Sequence, residues 1–182
     1  MNMAPNNSFE RVIPIHALGF FTVCLSGIIK QIVVFEYLDL EEYYGKLIEE
    51  GDIDSELEKL ASNMQYFLDQ EKVFINGKRT RPEVKGIDIV FRGDKTRPSA
   101  VFFIEFEGKF KKGVNVYENY YEGGVAPYNF EAYWLFPPNA KIREVLVKGE
   151  YEVFGENSNI LAIWVKRGQK IVGYERIEFI LE

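Results

Sequence analysis

At 182 residues, 47% hydrophobic and 27% charged, the chain is long enough for one buried core and too apolar for intrinsic disorder. A single cysteine, Cys24, excludes an intramolecular disulfide, and a single histidine, His16, excludes multi-histidine and Cys/His zinc clusters. A net charge of −6 argues against a nucleic-acid partner.

The first element is an uncharged run at 12–29, VIPIHALGFFTVCLSGII. Its length approaches a membrane span. Pro14, His16, Gly19, Thr22, Ser26 and Gly27 dilute it, and the leader before it has no positive n-region, so neither a span nor a signal peptide is expected. Its β-branched and aromatic residues, followed by IIKQIVVFEYL, predict two strands between 11 and 38 with Ser26-Gly27 as the turn. His16 in this run reads as a packed, hydrogen-bonded histidine and Cys24 as a buried thiol.

From Asp39 the pattern becomes helical. LEEYYGKLIEE is a short acidic candidate ended by Gly51-Asp52. The acidic run Glu36, Asp39, Glu41, Glu42 lacks the ligand spacing of a calcium loop and reads as a solvated helix start. Ser55, three residues before Glu58, predicts a capping box. Leu57, Leu60, Ala61, Met64, Phe67 and Leu68 then follow at helical spacing, a stripe for packing on a sheet.

After Gln70 the chain reads as strands and turns. Asn76-Gly77 predicts a tight hairpin because both residues tolerate positive φ. Residues 84–92 and 100–110 alternate, and FKKGVNVYENYY at 110–121 reads as another strand. Further strands are expected near 128–136, 142–147, 150–154, 159–166 and 174–181. The apolar run ILAIWV fits a strand covered on both faces. The fold class is α+β, mainly β: an antiparallel sandwich or barrel-like sheet with one or two helices from about 40–70 packed on it. One domain spans 1–182, with a hairpin-plus-helix part to about 71 and an antiparallel β part from about 72.

Charge is segregated. Residues 36–71 hold twelve acidic and two basic residues, a net of −10, and residues 78–112 hold ten basic and five acidic, a net of +5. Two such segments are expected to face each other, within the fold or between subunits. The alternative is an anion-binding face on the basic one.

Two groups of residues carry chemistry. Asp88 precedes a strand with Glu105, Glu107 and Lys109. Glu107-Gly108-Lys109 is an E-x-K, and the set resembles the motif of restriction-endonuclease-like nucleases. That resemblance implies carboxylates holding Mg²⁺ and a lysine acting on the attacking water. The family usually places a helix after E-x-K, whereas FKKGVNVYENYY here reads as a strand. The second group is aromatic. In VNVYENYYEGGVAPYNFEAYWLF, Phe130, Trp134 and Phe136 share a core face. Asn115, Tyr117, Asn119 and Tyr121 form a polar-aromatic face expected at the surface. Tyr117, Tyr121 and Tyr133 are the candidate ligand-binding residues.

With no complete catalytic set, the chain reads as a non-enzymatic binding or protein-interaction module without cofactor or bound metal. The single cysteine points to a reducing, cytoplasmic setting. Abundant Glu, Lys, Ile, Val and Tyr with few Gln lean towards a thermophile. The expected partner is a protein, a second copy included, since paired sheet edges are protected; a small anionic ligand is the other expectation. The alternatives are a metal-dependent phosphodiesterase or nuclease at Asp88/Glu105/Glu107/Lys109, and a small-molecule or glycan binder at the tyrosines.

Overall fold

In the computed structural model, which describes residues 12–182, the uncharged run enters an antiparallel hairpin of β1 (Ile13–Val23) and β2 (Ile28–Leu38). No helix among the described residues is long and apolar enough to cross a membrane. Helices α1 (Tyr43–Glu50) and α2 (Ile53–Gln70) follow. The capping box does not form. Asp52 is the N-cap of α2, so Ser55 lies inside the first turn and its Oγ donates back to the Asp52 carbonyl at 3.4 Å. Asp54 and Glu56 in that turn still favour the positive end of the helix dipole.

A hairpin of β3 (Lys72–Ile75) and β4 (Lys78–Thr80) turns at Asn76-Gly77, with φ of 51° and 74°. The remaining strands are β5 (Glu83–Phe91), β6 (Pro98–Glu107), β7 (Gly113–Tyr120), β8 (Gly124–Val125), β9 (Asn129–Leu135), β10 (Ala140–Leu146), β11 (Glu150–Phe154), β12 (Ile160–Val165), β13 (Lys170–Ile171) and β14 (Tyr174–Leu181). A seven-stranded sheet has the order β11-β12-β9-β1-β2-β6-β5, and a five-stranded sheet the order β10-β14-β7-β3-β4. The two-residue strands β8 and β13 pair only with each other.

One pair departs from antiparallel: β1 and β9 run parallel, with His16 opposite Asn129 and Thr22 opposite Leu135. These strands are far apart in sequence, so no hairpin fixes their relative direction. The architecture is α+β and mainly β, with open sheets packed as in a sandwich.

One face of the seven-stranded sheet has two coverings. At one end Phe21, Phe106, Trp134, Leu161 and Ile163 pack against Val73, Ile75, Tyr117, Ile177 and Phe179 of the five-stranded sheet. At the other end Phe35, Ala100, Phe102 and Ile104 pack against Tyr44, Leu60, Met64 and Leu68 of the helices. Alternation along β6 carries Ala100, Phe102, Ile104 and Phe106 on a single face across both cores. Glu71 is the one residue between α2 and β3, at the seam of the two coverings.

The oppositely charged segments meet within the fold. Arg92 Nη1 lies 2.9 Å from Glu36, Arg81 Nε 2.8 Å from Asp69, and Lys95 pairs with Glu49.

Candidate functional site

The register of β5 and β6 separates the nuclease-like residues. Asp88 stands opposite Val101, and Glu105 opposite Glu83. Val101 and Glu105 are four residues apart on one strand, about 13 Å at about 3.3 Å per residue. Glu107 lies further along, and Lys109 lies beyond the strand end, its carbonyl accepting from Asn76 Nδ2 at 2.9 Å. The element after E-x-K is β7, not a helix. Among the described residues no group of three or more His, Cys, Asp or Glu side chains is arranged to hold a metal ion.

The tyrosines divide between two faces. Tyr133 lies on the outer face of the seven-stranded sheet, stacked on Phe20 with ring centres 5.4 Å apart. Trp134, its neighbour, is buried in the core as the alternation requires, 4.0 Å from Phe21 and 4.6 Å from Tyr117 between ring centres. The polar-aromatic face of β7 is also inside, which corrects the expected surface. Asn115, Tyr117 and Asn119 are 0%, 3% and 6% exposed, and Tyr121 is half-buried.

That face tolerates burial because its polar groups find partners. Asn115 Nδ2 donates to the carbonyls of Lys111 and Gly113, and its Oδ1 accepts from the Lys111 amide at 2.9 Å. Tyr117 Oη donates to Glu175 Oε1 at 3.0 Å, and Asn119 Nδ2 donates to Glu71 Oε2 at 2.9 Å. Asn119 Oδ1 is left without a partner.

The arrangement brings two half-buried carboxyl groups, Glu71 and Glu175, together among neutral donors. Burial pushes the Glu175 carboxyl up to about 7, and the Glu71 charge pushes the same way, while hydrogen bonds from Tyr117 and Asn119 oppose the shift. Burial also raises Glu71 above the usual carboxylate range. Burial first, then the Glu175 and Glu71 charges, raises the Tyr121 hydroxyl, which keeps its proton. No Lys, Arg or His side chain among the described residues forms an ion pair with either carboxylate.

Glu71 opens onto a groove of about 450 Å³ between the end of α2 and the β4 hairpin, lined by Leu68, Asp69, Glu71, Arg79, Thr80 and Arg81. Arg81 forks onto Asp69 through Nε at 2.8 Å and Nη2 at 2.9 Å. The Arg79 guanidinium makes no ion pair or side-chain hydrogen bond with the described residues.

Sequence reasoning found Tyr117, Asn119 and Tyr121 and missed Glu71 and Glu175. The signal was present in the last strand, YERIEFIL. Ile177, Phe179 and Leu181 define its core face, and Glu175 stands on that face two residues earlier. His16 is hydrogen-bonded as expected, its Nε2 2.5 Å from Glu131 Oε2. Cys24 is half-buried at the end of the first hairpin, not fully buried.

No family model matches the chain, and no curated protein matches it. Among solved structures, an M1 zinc metallopeptidase from Deinococcus radiodurans is similar, with a TM-score of 0.40 and 10% identity over 92% of this chain and 42% of that one. A mutant of a two-domain M1 zinc metallopeptidase bound to L-tryptophan gives a TM-score of 0.39 and 9% identity over 93% and 43%. The chain thus spans less than half the length of these peptidases, and a likeness of this degree carries nothing about activity.

Proposed function

We propose that the protein is a non-enzymatic binding module and that the groove at Glu71 takes a small organic amine. One observation carries this reading: two half-buried carboxyls are held by neutral hydrogen-bond donors with no cation paired to either. A buried carboxylate without a counter-charge is costly and takes up a proton instead. A ligand ammonium would replace that proton and add charge-assisted hydrogen bonds, worth about 1.5–3 kcal/mol each. Arg79, on the same groove, would meet a polar or acidic group elsewhere on the ligand.

The test titrates the full chain with butylamine and, separately, with butyrate of matching chain length. The proposal expects saturable changes at the Asn119 side-chain amide with butylamine, weakened in Glu71→Gln. Equal responses to the two probes, or no effect of Glu71→Gln, would overturn it.

A protein-partner reading draws on a different observation. Tyr133, Phe20, Ile32 and Phe103 are neighbours across four strands on the outer face of the large sheet. Phe20, Ile32 and Phe103 are 43%, 38% and 45% exposed. An apolar row of this kind is a common mark of interaction surfaces. Light scattering of the wild type against Phe103→Ser tests it, since self-association through this row would be lost in the variant.

A further inference from the structure

A second cavity lies at the end of the outer face of the seven-stranded sheet, away from the Glu71 groove. It holds about 270 Å³ and is lined by Glu36, Tyr37, Arg92, Arg97 and Ser99 among others. At about 30 Å³ per water molecule this is the space of roughly nine waters, enough for a small molecule and too little for a folded segment.

The strand register assembles the polar side of this cavity. Ser99 stands opposite Glu36 across β6 and β2, and Glu36 stands opposite His16 across β2 and β1. Glu36 is already balanced. Its Oε1 lies 2.9 Å from Arg92 Nη1, and its Oε2 lies 3.4 Å from His16 Nδ1. Arg97 is not balanced in the same way. Its guanidinium forms no ion pair among the described residues, and the nearby Asp94 carboxylate spends Oδ1 on the amide and hydroxyl of Thr96. Ser99 is 1% exposed, and its Oγ has no hydrogen-bond partner. His16 Nδ1 is buried and likewise lacks a hydrogen bond.

We propose that this cavity is a binding site for a small oxyanion, a carboxylate or a phosphate, held by the Arg97 guanidinium and the Ser99 hydroxyl. The lining itself carries two guanidiniums and one carboxylate, with the Asp94 carboxylate beside Arg97 outside it. Arg97 presents a planar fork of donors that matches two oxygens of either group. Ser99 supplies a hydroxyl that rotates to donate to a bound oxygen. This gives a location within the basic segment 78–112 for an anionic ligand, and it does not depend on the amine site.

The experiment titrates the full chain with sodium phosphate and, separately, with sodium acetate, at constant ionic strength with chloride as background. Backbone amide resonances of Arg97 and Ser99 are followed by NMR. The site predicts saturable shifts with at least one anion, weakened roughly tenfold in Arg97→Ala, about 1.4 kcal/mol of binding. Ser99→Ala, which removes one hydroxyl and leaves the fold, should weaken binding in the same direction. Saturation by phosphate alone assigns a phosphate ligand, and saturation by acetate alone a carboxylate; either result supports the site. Shifts that never saturate, or that persist unchanged in both variants, overturn it.

Discussion

Two regions of this molecule each hold a pair of glutamates, and they manage the charge in opposite ways. On the outer face, Glu36 and Glu131 flank His16, and Arg92 completes the pairing. On the inner seam, Glu71 and Glu175 are met by the Asn119 amide and the Tyr117 hydroxyl. The outer pair is met by the Arg92 guanidinium and by the His16 ring. The inner pair is met by neutral donors, so its charge is controlled by protonation. The difference teaches where binding energy is stored: a compensated cluster gains little from an added cation, and an uncompensated one gains much.

The largest expected effect tests whether the inner pair depends on the core behind it. Trp134 lies 4.6 Å from Tyr117 between ring centres and is 1% exposed. Trp134→Ala should cost about 3–5 kcal/mol in denaturant unfolding. It should also loosen Tyr117, and with it the hydrogen bond to Glu175. A cost under about 1 kcal/mol would mean that the inner region is not built on this packing.

The next effect concerns pH. The folded-state pKa of Glu175 is raised from 4.5 to about 7, so the folded protein holds a proton that the unfolded chain releases across that range. The favourable contribution is full below pH 4.5 and is lost as pH rises through 7, by about 3 kcal/mol at most. Glu175→Gln keeps an acceptor for Tyr117 and removes the titration. The variant should gain stability over the wild type above pH 7, and its unfolding curve between pH 4.5 and 7 should be flatter. Parallel pH profiles for the two proteins would contradict the comparison.

The smallest effect belongs to the outer face. A double-mutant cycle on Arg92 and Glu36 should give a coupling of about 0.2–1 kcal/mol, because the arginine is mostly exposed. That coupling should shrink as salt is raised, whereas the effect of Glu175→Gln should not. Equal salt sensitivity at both regions would erase the distinction between them.

Much of the fold was legible because alternation and turn chemistry are local. The first hairpin, the helical stripe of Leu60, Met64 and Leu68, and the Asn76-Gly77 turn follow from residues close in sequence. The parallel pairing of β1 with β9 was not legible, since it joins residues more than a hundred positions apart. The candidate site was half legible. Tyr117 and Tyr121 stood out as aromatics among polar residues, but their burial depended on Glu175 arriving from β14 and Glu71 from the end of α2. Without those partners a face bearing Asn115 and Asn119 looks suited only to solvent. The nuclease-like set shows the converse. Its residues share strands, but the register places them along one sheet face and does not converge them on a point.

The central claim is that Glu175, in the inner carboxyl pair, holds its proton up to about pH 7 and that a ligand cation bound beside Glu71 drives that proton off. Carbon-detected NMR of the Glu175 side-chain carboxyl, followed against pH, tests it directly. The account predicts a midpoint near 7 in the free protein, moving down when butylamine is added. A midpoint in the ordinary range of about 4–5, unmoved by butylamine, would contradict it.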